Sequence, residues 1–200
     1  MKKSINFIII ISISLFLSCS KDKDKVQGCT YVQATNYNYS EEENNGSCLY
    51  SLNKVWEYDY WTIDGVNGLS VFPLVGLFIW EAEGVWATEV YDASGYITDI
   101  SSAGLFTMSE DQTSAVFTAD MYYDLTYGWT YTSTTMHNAT INKIDGDELD
   151  LTFNHPTGET EVIKSFESST ALPPLGFTED NIQRKQLFEK LIQLKEKRDR

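Results

Sequence analysis

The chain has 200 residues, 42% hydrophobic and 14% aromatic, with 29 acidic against 15 basic side chains and a formal net charge of -14. That size and apolar content suit one packed domain with terminal appendages, not a disordered chain. The acidity argues against a nucleic-acid partner and against docking of the body on anionic lipid, since both would repel it.

At the amino terminus, Lys2 and Lys3 precede an apolar run from about Ile5 to Leu17. A positive flank, a short apolar stretch and a small residue at its end are the pattern of a secretory signal peptide, expected over residues 1–18. Spanning a bilayer takes roughly 20 apolar residues, more than this run holds. The run ends Leu15-Phe16-Leu17-Ser18-Cys19. This resembles the lipobox of bacterial lipoproteins, with Phe16 where Leu is usual and Leu17 where a small residue is frequent. The resemblance implies cleavage before Cys19, a thioether to lipid on its sulfur and a further acyl chain on its freed amine. Several chains anchor stably where one does not, at about 0.8 kcal/mol per buried methylene. Ser20, in place of Asp, implies an outer-membrane destination in the lipoproteins this chain resembles. Residues 19–27, with the tract SKDKDK, read as a charged tether that cannot pack. They also resemble a surface-export signal of some Gram-negative bacteria, and the two readings stay open.

Residues 28–50 follow. With Cys19 assigned to lipid, Cys29 and Cys48 are left as a pair, and the exported compartment favours a disulfide between them. Closing that loop would contribute about 3 kcal/mol in the chain-entropy model. Gly28-Cys29-Thr30, then Ala34-Thr35-Asn36-Tyr37-Asn38, a run of acids, and Gly46-Ser47-Cys48 with Tyr50 resemble a short module of exported proteins. Tyr31 and Tyr39 stand where that module commonly has Asp and Pro. The resemblance implies a disulfide-closed element and no activity. Glu41, Glu42 and Glu43 beside Asn44 and Asn45 offer oxygens of the kind Ca²⁺ takes, although a solvated loop accounts for them as well.

Over residues 51–168 the apolar pattern has period two. KVWEYDYWTI alternates, with Trp56, Tyr58 and Tyr60 on one face and Glu57, Asp59 and Trp61 on the other. LFIWEAE, VWATEVY, GLFTMSED, SAVFTADMYY, WTYTSTTMHNATINKI, LDLTF and TEVIKSF continue the series, separated by DGVNG, DASG, DGDE and HPTG turns. Eight short strands without helices between them predict a mainly β fold, an antiparallel barrel or sandwich, because open edges invite aggregation. The opening NKVWEYDYWTIDG and the closing ATINKIDGDELDLTFNHPTGETEVIKSF resemble the lipocalin-like domains of such lipoproteins. That resemblance implies an eight-stranded antiparallel up-and-down barrel whose mouth holds a small apolar ligand.

Pro173, Pro174 and Gly176 mark a linker over residues 169–177. Residues 178–200 predict a C-terminal α-helix capped by Thr178, with an apolar stripe of Ile182, Leu187, Phe188, Leu191, Ile192 and Leu194 and a cationic end. The stripe suits docking on the barrel, or contact with an envelope protein or a membrane surface.

The chain carries no nucleophile elbow, phosphate loop, dinucleotide fingerprint or zinc helix, and no catalytic residue, metal site or cofactor is expected. His137, in a Thr-rich strand, and His155, in a turn, read as surface histidines, one per element making no metal site. Glu81 and Glu83 would share a strand face, as paired glycosidase acids do, but adjacent acids on a solvated strand are commoner. MYYDLTYGWTYT is the best binding stretch: Tyr127, Trp129 and Tyr131 offer aromatic faces to an apolar or glycan ligand, or fill a core. The expected function is therefore a non-enzymatic, lipid-anchored envelope protein that binds a small apolar or glycan ligand. The alternative is a structural or protein-interaction lipoprotein with a filled barrel.

If Cys19 carries lipid, cells fed labelled fatty acid should label the wild-type protein, and Cys19→Ala should abolish the label; equal labelling of the two would refute the anchor.

Overall fold

The computed structural model describes residues 25–172 and 182–200. The leader, Cys19 and most of the tether lie outside these residues, as do most of the expected linker and the start of the tail helix.

Residues 25–32 and 37–48 form a small unit of their own. Gln27–Gly28 pairs in parallel with Glu43–Asn44, and Cys29 and Cys48 form a disulfide with Cα atoms 4.7 Å apart. Most acids and amides of this loop are engaged locally. Glu43 pairs with Lys25 and accepts from Gln27 at 2.7 Å. Asn38 donates to Glu41 at 2.9 Å, and Asn44 and Asn45 accept from the backbone of Gly46 and Ser47 at 3.0 Å.

The larger unit is a β-barrel with a helix on its outer wall. Its strands are β1 (Val55–Ile63), β2 (Leu74–Trp80), β3 (Val85–Tyr91), β4 (Ser102–Met108), β5 (Ser114–Asp124), β6 (Gly128–Ile144), β7 (Glu148–Asn154) and β8 (Thr160–Glu167). All neighbours are antiparallel and sequential, and β8 returns to pair with β1, which closes the sheet. The expected up-and-down barrel and its eight strands are therefore present. Closure leaves no long unpaired edge, the usual hazard of so many β-rich segments.

Two bulges change which face each residue occupies. Opposite Lys164 and Ser165, β1 carries Asp59 as an extra residue between Tyr58 and Tyr60. One extra residue reverses the inward phase downstream of it. Trp61 thus turns into the barrel with Trp56, against the strict alternation read from the sequence, while Tyr60 lies outside under the Lys164 ammonium, 5.9 Å from the ring centroid. In β5, Asp120 is the extra residue between Ala119 and Met121. Ala115 and Phe117 point inward before it, and Met121 and Tyr123 point outward after it. The buried Asp120 carboxylate accepts from Thr118 at 2.7 Å and Thr134 at 2.6 Å. Only glycine fits across from this bulge: a Cβ on Gly104 would stand 1.7 Å from the Thr118 carbonyl oxygen.

The interior and exterior are separate cores. Trp56, Leu77, Ile79, Trp86, Phe106, Phe117, Leu149, Leu151 and Ile163 fill the barrel. On the outer wall, α1 (Ile182–Arg198) buries Leu187, Phe188 and Leu191 against Phe78, Trp80, Val85, Ala87, Met121 and Trp129. Phe188 meets Trp80 edge-on at 5.5 Å. Gln186 accepts from the Trp129 amide at 3.0 Å, and Arg198 reaches the Gly84 and Glu83 carbonyls. An ion pair sits inside this apolar seam: Arg184 donates to Glu89, 3.0 Å away, with the Glu89 side chain only 3% exposed. Its guanidinium also lies over the Phe78 ring at 5.3 Å. The apolar stripe of the helix is thus spent on the barrel.

Removing one partner of a buried pair leaves an uncompensated charge, which costs about 3–5 kcal/mol, whereas replacing both with apolar groups is close to neutral. Arg184→Met should lower the urea unfolding free energy by about that amount, and Glu89→Met with Arg184→Met should recover most of it. A single substitution as mild as the double one would show that the pair does not hold the helix.

Candidate functional site

The barrel is filled at one end and open at the other. Trp56, Ile79, Phe106 and Leu149 pack the closed end. Above them Phe117 meets Trp86 at 5.3 Å, Phe106 at 5.0 Å and Phe153 at 5.3 Å, an aromatic floor whose edges face its rings. Over this floor lies a cavity of about 490 Å³ walled by Val75, Leu77, Val90, Phe153 and Ile163, with Thr88 and Ser102 among its few polar groups. The β1–β2 connection arches across it, contributing Val66, Val71 and Phe72 to the lining. Asn67 accepts from the Leu69 amide at 2.9 Å and so starts the short 3₁₀ turn Gly68–Ser70. Gly68 permits the arch to touch the site, since a Cβ there would fall 2.5 Å from the Trp61 ring.

Four polar side chains form a continuous chain along one side of the mouth. In the β6–β7 ladder Asn138 pairs with Asn154, and one step further His137 faces His155, with Nδ1 atoms 3.0 Å apart. His155 Nε2 lies 3.0 Å from Glu161 Oε2. The other carboxylate oxygen, Oε1, accepts from the Trp61 indole at 2.7 Å. Strands β6, β7, β8 and β1 are adjacent, so barrel closure places these groups side by side. His155 and Glu161 are mostly buried, each 17% exposed.

With one proton on each ring, the direction of the hydrogen bonds follows from the acceptor at one end. A carboxylate only accepts, so His155 presents Nε2–H to Glu161. In the neutral ring its Nδ1 is then an acceptor, and His137 supplies Nδ1–H to the short contact. That leaves His137 Nε2 as a lone pair, with no partner among the described residues. Burial, and next the neighbouring His155, hold the His137 pKa below the ordinary imidazole value near 6.5, which keeps this ring neutral. On β1 beside Trp61, burial and then the Glu161 charge push the Tyr58 phenol well above its usual range, so it stays protonated, and it bonds Thr88.

The binding residues expected from the sequence are elsewhere. Trp129 is buried under α1 and belongs to the outer core, and the Tyr123 ring meets it at 5.7 Å. Tyr131, on the same face, is 44% exposed; its hydroxyl donates to the Lys190 carbonyl at 3.1 Å, and the Lys190 ammonium lies over its ring. Tyr127 is exposed in the β5–β6 turn. None of the three lines the cavity. The reason is the bulge at Asp120, beyond which both strands of this hairpin present the opposite faces. Glu81 and Glu83 lie past the end of β2, in its turn to β3. Glu81 there accepts from the Leu52 amide at 2.8 Å and from Ser51 at 3.1 Å, a local structural role. His137, His155 and Glu161 were not singled out together from sequence. A usable signal was their shared inward parity with Ala139, Phe153 and Ile163 across the DGDE and HPTG turns.

Comparison of the chain with protein-family models and with curated proteins found no match.

The depressed His137 value links stability to pH. The unfolded chain, with an ordinary imidazole, binds the proton more readily than the folded one. The contribution is therefore complete above about pH 6.5 and is lost as pH falls toward the lower folded value. Urea midpoints measured from about pH 7.5 down to about 5.5 should fall more steeply for the wild type than for His137→Phe. Parallel curves would contradict a neutral His137 in the fold.

Proposed function

We propose that the protein is a lipid-anchored envelope protein that binds one small, mainly apolar ligand inside the barrel. The observation that carries the binding part is the cavity of about 490 Å³ over a packed floor, within the size range of small-molecule sites. Eight strands leave an interior either filled by side chains or roomy enough for one such ligand. Here one end is filled and the other is not. The walls are aliphatic and aromatic, which suits an apolar molecule better than a glycan, whose hydroxyls would go unpaired. The anchor part rests on the Leu15–Cys19 resemblance and the charged tract that follows it. The polar chain at the mouth ends at His137 with no hydroxyl or thiol hydrogen-bonded to that ring among the described residues, so it supports a recognition role ahead of nucleophilic catalysis.

Titration of the purified chain with the apolar fluorophore N-phenylnaphthylamine tests the reading. Fluorescence should rise saturably with wild-type protein. Val75→Phe, which fills the cavity from β2, should weaken binding at least about tenfold while costing only about 1–3 kcal/mol of stability. A wild type that does not bind, or binding unaffected by the substitution, would favour a structural role with an occluded barrel.

A further inference from the structure

The polar chain at the mouth has a direction, and the direction specifies a ligand head group. Glu161 is the only charged residue lining the cavity among the described residues; no Lys or Arg lines it. Both its oxygens are occupied, Oε1 by Trp61 and Oε2 by His155. The carboxylate therefore satisfies its own neighbours and acts on a ligand only through the two rings it orients. His155, held by Glu161, orients His137 in turn, and the chain finishes at His137, a residue of the cavity lining whose Nε2 is left as a bare lone pair.

We infer that the cavity selects apolar molecules carrying a hydrogen-bond donor at one end, of the long-chain alcohol class, with the ligand hydroxyl donating to His137 Nε2, and that it discriminates against carboxylates. The inference rests on the ligand-binding reading above and specifies its chemistry. A hydroxyl matches the site in both respects: it supplies the one proton that the lone pair lacks, and it brings no charge into an apolar chamber. A carboxylate has no proton to offer, and it would enter a cavity whose fixed charge is already negative, in a protein of net charge -14. An ether of the same length has the apolar body without the donor. His137 is then a binding residue, while His155 and Glu161 are positioning residues that set its tautomer.

The test uses the full chain and four twelve-carbon probes: dodecanol, its isomer methyl undecyl ether, dodecanoate and dodecylamine. Binding is read from the tryptophan fluorescence of Trp61 and Trp86, both in the lining. One neutral hydrogen bond predicts that dodecanol binds about three- to tenfold tighter than the ether, with dodecanoate weaker than either. His137→Phe should bring the alcohol down to the ether while leaving the ether unchanged. Glu161→Gln gives an outcome that a merely structural role would not. With the carboxamide oxygen held by Trp61, its NH₂ faces His155 and reverses every hydrogen bond in the chain. His137 then presents Nε2–H, so the ether should overtake its wild-type affinity and the alcohol should lose its lead. Should His137→Phe fail to fold, Glu161→Gln carries the test alone. Equal affinities for alcohol and ether, or tighter binding of dodecanoate or dodecylamine, in a wild type that binds these chains would overturn the head-group inference and leave the cavity reading intact. A folded wild type that binds none of the four would overturn both.

Discussion

The pairing of Thr160–Glu167 with Val55–Ile63 is the constraint on which the rest of the structure depends. Without it the sheet would have two faces and two open edges. With it, one face becomes an interior, and residues about a hundred positions apart become neighbours. Glu161 and Trp61 meet only because β8 closes on β1. The histidines are brought up beside them by the next two strands. The site is thus a consequence of closure, not of any local motif.

The same closure forces a choice about volume. Large side chains at one end, with Trp56 wholly buried, leave the other end short of material. The outer core lets that end stay open at little cost to stability. Phe78, Trp80, Met121 and Trp129 bury their apolar surface under α1, so the barrel does not rely on its interior alone. Burial of this kind contributes about 25 cal/mol per Å². The Glu89–Arg184 pair inside the seam fixes where the helix sits more than how strongly, since two desolvated charges gain little over apolar residues of the same shape.

Much of this was legible in the sequence, for identifiable reasons. The Asp64-Gly65, Asp92–Gly95 and Asp145-Gly146 turns, with period two between them, marked all eight strands, because turn chemistry and alternation are local properties. The tail stripe marked a helix for the same reason, with docking on the barrel as one of the readings it allowed. Facing was less legible. Alternation assumes an unbroken pleat, and bulges at Asp59 and Asp120 break it. Trp61 was thereby assigned to the wrong face, and Trp129 and Tyr131 were credited with a binding role although they lie outside the barrel. His137 and His155 looked like isolated surface histidines because nothing local reveals a register. Their contact follows from Asn138 pairing with Asn154, a non-local fact. A cavity is harder still to read, being the absence of a side chain where several strands converge.

The central claim is that the open end of the barrel holds a small apolar molecule in the cell. The most direct measurement is solvent extraction of the full chain purified from the cells that make it, followed by mass spectrometry of the extract beside native mass spectrometry of the intact complex. The account predicts one small molecule bound per chain, mainly apolar with a neutral donor group, released on denaturation and missing from protein whose cavity has been filled. Intact protein that carries no added mass beyond its own covalent mass, in detergent that preserves the bound state of comparable carriers, would contradict it.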